Sequence, residues 1–178
     1  GTVQLKVKVN TGSYQNLGNA STIGSGDINN NKTISVDATT LESITSFAED
    51  VNLTFTADIT DGVGNGPTTG AESSNVLHVD QTAPTFSTVD ATDGTYGVGD
   101  NIDITVTWNE IVNVTATPTL TLSNGATATY TSGTGGAALV FQYTVTEGDT
   151  DSPDLSVSSY SGTIKDAAGN AFTGTVSG

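Results

Sequence analysis

The 178-residue chain has no cysteine and no methionine, and it has only 4 lysines and arginines against 19 aspartates and glutamates. Without cysteine there are no disulfides, no thiol chemistry and no cysteine-ligated zinc. The net charge of -15 argues against nucleic acid as a partner, because phosphates need basic residues. No apolar run has the length of a membrane span, so direct membrane insertion is not expected. A small exported module without disulfides needs another stabiliser, and calcium is the obvious candidate.

Short alternations of apolar and polar residues, together with 21 glycines and abundant serine and threonine, predict an all-β chain of many strands and tight turns. Trp108 lies in the longest alternation and is expected in a core. Strands spaced in this way indicate sandwiches of the immunoglobulin type. The predicted strands are residues 2–9, 33–37, 51–58, 74–80, 101–110, 119–122, 127–131, 138–146 and 155–158.

Residues 79–86 divide the chain into two modules of similar pattern. Pro84 fixes its own φ and favours an extended residue before it, so we interpret this segment as a rigid connector. The predicted domains are residues 1–81, whose opening strands are the least regular, and residues 82–178. An Asp-x-x-Gly-Asn turn occurs near the end of each module, starting at Asp61 and at Asp166, 105 residues apart. This recurrence indicates a tandem repeat.

The second module resembles the bacterial immunoglobulin-like repeats of very large surface proteins, including the extender regions of biofilm adhesins. In the first module only residues 51–84 follow the pattern, and Trp108-Asn109-Glu110 replaces the family's usual Phe-Ser-Glu. The resemblance implies an extracellular, stalk-like role, neighbouring modules of the same polypeptide as partners, and calcium that rigidifies the joints. It does not imply an enzyme. The stretches that carry it are Asp93-Gly-Thr-Tyr-Gly-Val-Gly-Asp100, Thr117-Pro118-x-Leu120-x-Leu122, Ala128-x-Tyr130-Thr-Ser-Gly133, Phe141-x-Tyr143-Thr-Val and Ile164-Lys-Asp-Ala-Ala-Gly-Asn170.

Acidic side chains near the predicted turns are candidate calcium ligands, since calcium prefers carboxylate and carbonyl oxygens. The alternative is that they are solvated residues favoured by turn chemistry alone. The stretch that begins at Asp27 matches a calcium loop incompletely, with Lys32 where glycine is needed, and is interpreted as an Asn-rich turn. The candidate ligands are Asp58, Asp61, Asp80, Asp90, Asp93, Asp100 and Glu110 around the connector, Asp149, Asp151 and Asp154 in one loop, and Asp166 with Asn170 in the second turn.

We therefore expect a segment of a calcium-stiffened extracellular surface protein that spaces and presents other domains. No export signal is seen, and an internal piece of a longer polypeptide is expected. One alternative is a subunit of a self-assembling filament or surface layer, joined through residues 1–10. Another is a carbohydrate-binding module that uses Tyr14, Tyr96 and Tyr160. Catalysis is not expected, because the single histidine, His78, has no nucleophile or carboxylate at a diagnostic spacing.

Overall fold

The computed structural model describes residues 1–27 and 30–178, and the chain is mostly β, as predicted. Its contacts divide it into two compact units, Gly1–Asp80 (unit 1) and Gln81–Gly178 (unit 2). Each unit contains one antiparallel sheet, of six strands in unit 1 and seven in unit 2. The helices among the described residues are short, and none has the length and apolarity that crossing a bilayer requires.

Unit 1 is organised on two long strands, β1 and β4, which pair over eight residues from Thr2 opposite Thr60 to Val9 opposite Leu53. Strands β2 and β3 pair with β1, and β5 and β6 pair with β4. A 3₁₀ turn and one short helix, α1, lie between β3 and β4. The bounds are β1 Thr2–Val9, β2 Gln15–Asn16, β3 Ser21–Thr22, the 3₁₀ turn Ser25–Asp27, α1 Ala38–Glu42, β4 Asn52–Thr60, β5 Thr68–Thr69 and β6 Leu77–His78.

The core of unit 1 follows from the alternation of β1 and β4. Val7 and Leu53 are fully buried, and both belong to one apolar cluster. Leu17 and Ile44, which come from the segments between the long strands, are also buried in that cluster. Alternate residues of a strand point to the same face, so the loops and the helix provide the apolar cover for this face of the sheet.

The strand predicted at residues 33–37 is wrong. This segment is irregular and leads into α1, where the Asp37 side chain accepts a hydrogen bond from the Thr40 N–H (2.7 Å) as the N-cap of the helix. A capping aspartate satisfies an N–H group of the first turn and so favours helix over strand. The helix brings Leu41 against the core, with Ile44 just after it. Of the Asn-rich turn predicted from Asp27, residues 28 and 29 lie outside the described residues.

Unit 2 contains a single curled sheet. Its strand order is β12-β9-β10-β11-β8-β13, and β7 pairs with β8. Val157 of β12 and Ile164 of β13 come from opposite ends of this order, yet both are buried in the same core. The sheet must therefore curve around that core. The bounds are β7 Phe86–Ala91, β8 Asn101–Val114, β9 Thr119–Leu122, β10 Thr127–Ser132, β11 Gly136–Thr144, β12 Val157–Ser161 and β13 Ile164–Lys165.

Trp108 lies in the core of unit 2, as its position in the sequence predicts. It is 3% exposed, and its ring meets that of Phe172 edge to face, with centroids 4.6 Å apart. Phe172 follows the second Asp-x-x-Gly-Asn turn and also packs edge to face on Tyr160. This aromatic packing ties the end of the turn to the inner face of β8.

Candidate metal centre

The two Asp-x-x-Gly-Asn turns are closed by the same hydrogen bonds. In the first, the Asn65 N–H donates to Asp61 Oδ1 (2.8 Å), Asn65 Nδ2 donates to Asp61 Oδ2 (2.7 Å), and the Asp61 N–H donates to the Asn65 carbonyl (3.0 Å). In the second, the corresponding distances between Asp166 and Asn170 are 2.8, 2.8 and 3.1 Å. The five-residue match in sequence is therefore also a match in structure.

The two turns differ in burial. Asp61 is exposed, whereas Asp166 is 3% exposed. Burial raises the pKa of Asp166, but hydrogen bonds from the side chain and N–H of Asn170 and from the Gly169 N–H outweigh it, so its pKa lies below the usual range. Asp166 is therefore a buried, ionised carboxylate at neutral pH.

Three carboxylates meet beside this turn. One carboxylate oxygen each of Asp80, Glu110 and Asp166 lies within 4.8 Å of the others. Asp80 and Glu110 are half-buried. Glu110 lies on β8 two residues after Trp108, so its side chain leaves the inward-facing side of the strand. Within the part of the chain that the structure describes, no other group of three such side chains has ligand atoms so close.

The connector after Asp80 is held firmly to unit 2. The Thr85 N–H donates to Asn109 Oδ1 (2.6 Å), and the Asn109 N–H donates to the Thr85 carbonyl (3.1 Å). Asn170 Nδ2 donates to the Thr82 carbonyl (3.3 Å), and Pro84 is fully buried. The backbone that follows Asp80 is thus hydrogen-bonded at Thr82 and at Thr85 to the elements that carry the other two carboxylates.

The oxygen-only donor set suits a hard divalent cation. Calcium and magnesium bind carboxylates, carbonyls and water, whereas zinc favours cysteine and histidine. The chain has no cysteine, and its one histidine, His78, lies 2.9 Å from Asp50 instead. The cluster could hold a metal ion, with the remaining ligands supplied by backbone carbonyls or water.

Asp58 is engaged elsewhere, in an ion pair on the sheet of unit 1. Its Oδ2 lies 2.8 Å from Lys6 Nζ, and its Oδ1 accepts a hydrogen bond from the Thr69 hydroxyl (2.6 Å). Lys6, and then Thr69, lower the pKa of Asp58. The protein's own lysine thus balances this charge.

The other predicted ligands lie elsewhere in unit 2. Asp149 Oδ2 accepts hydrogen bonds from the Tyr143 hydroxyl (2.6 Å) and the Thr146 N–H (2.7 Å), which lower its pKa. Asp100 Oδ2 accepts from the Gly97 N–H (2.7 Å) and closes its own turn. These two carboxylates have the structural role that turn chemistry predicts. The remaining acids are exposed along a groove of about 980 Å³: Asp90, Asp93, Asp151 and Asp154.

The cations of the chain are unevenly distributed. Three of the four lysines lie in unit 1 and form ion pairs there: Lys6 with Asp58, Lys8 with Glu72 (2.6 Å) and Lys32 with Asp27 (3.1 Å). Unit 2 has one lysine and ten acidic residues. Its negative field attracts cations from solution.

Comparisons with family models, with curated proteins and with solved structures found no match for this chain.

Proposed function

We propose that the chain is a non-catalytic segment of an acidic extracellular surface protein, and that it spaces and presents other domains. In this proposal each unit is an immunoglobulin-like sandwich, with the two layers of unit 2 formed by opposite parts of its one curled sheet, and bound calcium stiffens the connector. The observation that carries it is the meeting of Asp80, Glu110 and Asp166 next to the connector. The recurrence of the same turn in both units supports a tandem array.

Calcium at this cluster would join Asp80 to the inner face of β8 and to the second turn. The connector is already hydrogen-bonded to unit 2 through Thr82 and Thr85. An ion would therefore link the Asp80 carboxylate to the same elements that already hold the connector. A site of this kind in extracellular modules binds calcium at about 10⁻⁴ to 10⁻³ M, which matches calcium levels outside cells rather than inside.

No specific observation favours either of the two alternative functions. β1 is paired with β4 along its whole length, so donation of this strand to a filament would first break that ladder. Of the tyrosines considered for sugar binding, Tyr160 packs on Phe172, and the Tyr96 hydroxyl donates to the Thr92 carbonyl (2.6 Å).

The test is a calcium titration of the full chain followed by thermal unfolding with calcium and with chelator. At roughly 100-fold excess over the dissociation constant, one site adds about 2.7 kcal/mol of stability. Glu110→Gln should remove this gain. Asp103→Asn, which changes the same charge on the exposed face of β8, should keep it. Calcium binding at this cluster would be refuted if calcium left the unfolding midpoint of the wild type unchanged, or if Glu110→Gln gained as much stability from calcium as the wild type.

The mechanical role has its own test. Small-angle scattering should show a monomer whose longest dimension becomes better defined when calcium is added, because the connector loses freedom. Polymerisation of the chain at the same concentrations would support the filament alternative instead. If the monomer binds calcium but its scattering profile does not change, the metal site stands and the stiffening role is refuted.

A further inference from the structure

The chain contains two Asn-Gly pairs, Asn65-Gly66 and Asn124-Gly125. The amide nitrogen after an asparagine can attack the side-chain Cγ, which expels ammonia and forms a five-membered succinimide. Water then opens the ring at either carbonyl and leaves aspartate or isoaspartate. A following glycine favours the attack because it has no Cβ to obstruct it. Asparagine is a thermolabile residue for this reason.

Asn124 is held by the fold. Its Oδ1 accepts a hydrogen bond from the Ala126 N–H (3.0 Å), and its Nδ2 donates to the Tyr143 hydroxyl (3.3 Å). The attacking group itself, the Gly125 N–H, donates to the Leu122 carbonyl (3.0 Å). Ring closure here must break all three bonds at a half-buried side chain.

Asn65 is held less. It is exposed, and its side chain makes one hydrogen bond, from Nδ2 to Asp61 Oδ2 (2.7 Å). Within residues 1–27 and 30–178, no hydrogen bond engages the Gly66 N–H. The attacking nitrogen is therefore available, and only one bond opposes rotation of the side chain toward it.

We propose that Asn65 is a site of spontaneous modification, converted to aspartate or isoaspartate in the folded chain well before Asn124 or Asn170. The reaction consumes one water, releases one ammonia and needs no other reactant. Its product places a carboxylate against Asp61 Oδ2, where the amide had donated a hydrogen bond. Two carboxylates at that distance repel each other, so the turn of unit 1 loses one of its three closing hydrogen bonds and gains a repulsion in its place.

The equivalent turn of unit 2 is the matched control. Asn170 makes the same contacts to Asp166 as Asn65 makes to Asp61, but its Nδ2 also donates to the Thr82 carbonyl (3.3 Å), and alanine, Ala171, follows it in place of glycine. The Cβ of Ala171 obstructs the attack. The modification is therefore selective for unit 1 and spares the turn beside the metal cluster.

The experiment is incubation of the full chain at mildly alkaline pH, followed by peptide mapping for a mass gain of about 1 Da at each asparagine. Two further hydrogen bonds to break at Asn124 correspond to roughly a tenfold slower rate than at Asn65. Asn170 should be the slowest. In denaturant, the two Asn-Gly sites should react at similar rates, because the contacts that separate them are gone.

The variant Ala171→Gly gives the second turn the Asn-Gly sequence of the first. Conversion at Asn170 should then rise above its wild-type rate but stay below that at Asn65, because Asn170 Nδ2 still donates to the Thr82 carbonyl, while conversion at Asn124 stays as it was. Asn124 reacting as fast as Asn65 in the folded chain would overturn the proposal. A persistent difference between the two Asn-Gly sites in denaturant, or an Asn170 that stays unreactive when the Ala171→Gly variant is denatured, would also overturn it.

Discussion

Replacing Asp166 by alanine tests whether its carboxylate holds the second turn together. The change removes the acceptor for the N–H groups of Gly169 and Asn170 and for Asn170 Nδ2. A hydrogen bond contributes about 0.5–1.5 kcal/mol net, so three lost bonds predict a loss of about 3 kcal/mol. A domain has a total stability of roughly 5–15 kcal/mol, so this loss would be large.

The assay is urea unfolding in chelator, which separates the turn from any bound ion. Trp108 is the single tryptophan and lies in the core of unit 2, so its fluorescence reports the unfolding of that unit. With an m-value of roughly 1.5 kcal/mol per M, Asp166→Ala should lower the midpoint by about 2 M. The variant Asp61→Ala removes the equivalent bonds from unit 1 and should leave the Trp108 transition in place. A shift below about 0.5 kcal/mol for Asp166→Ala would refute the reasoning, since water would then replace the carboxylate at no cost.

The same fluorescence assay checks three further predictions. Acid in chelator should destabilise unit 2 below about pH 4. The pKa of Asp149 is lower in the folded state than in the unfolded state, so its contribution to stability is complete above the unfolded-state pKa and is lost as the pH falls through the folded-state pKa. Asp149→Asn should therefore make the stability of unit 2 less dependent on pH in this range. Tyr160→Phe should not destabilise unit 2 at neutral pH, because the buried hydroxyl has no hydrogen-bond partner among the described residues, and a loss above about 1 kcal/mol would contradict this. Burial raises the pKa of Tyr160 to about 12, so the wild type should lose more stability than the variant as the pH rises from about 10 toward that value, while Tyr143, whose pKa burial also raises, contributes equally to both. Gly133→Ala should lower the unfolding midpoint more than Gly135→Ala. Both glycines have positive φ (112° and 82°), but a Cβ at Gly133 would overlap a backbone carbonyl across the hairpin, whereas a Cβ at Gly135 meets open space. Equal shifts of the two midpoints would contradict this reasoning.

Long alternating runs were enough to locate the principal strands. Residues 2–9 and 119–122 coincide with β1 and β9, and the run predicted at residues 101–110 lies within β8, which continues to Val114. The two-residue strand β6, Leu77–His78, lies within the strand predicted at residues 74–80, whereas other strands of two residues, such as β5 at Thr68–Thr69, cannot show a period and were not predicted. The helix after Asp37 was missed because its five residues are shorter than the window in which helical periodicity is visible.

The site was predicted as a set of candidates rather than as a cluster. Asp80, Glu110 and Asp166 were all among them, but their meeting depends on the path of the connector and on the curl of the sheet. One signal was available: Glu110 occupies an inward-facing position in the alternation of Trp108 and Val112, where a charged residue needs a partner.

The ion pair of Asp58 follows from strand register, which the sequence does not specify. β1 and β4 pair with Gln4 opposite Asp58 and Lys6 opposite Thr56. Lys6 and Asp58 are therefore diagonal neighbours, close enough for long side chains to meet. Residue types alone could not separate this acid from those near the connector.

The uneven placement of lysine gives the two units different relations to the surrounding medium. Lys6, Lys8 and Lys32 provide unit 1 with counter-ions that are part of the chain. Unit 2, with ten acids and one lysine, draws its counter-ions from the water around it. Unit 1 has nine acids and three lysines and unit 2 has ten acids and one lysine, which give net charges of -6 and -9, so raising the salt concentration should stabilise unit 2 more than unit 1.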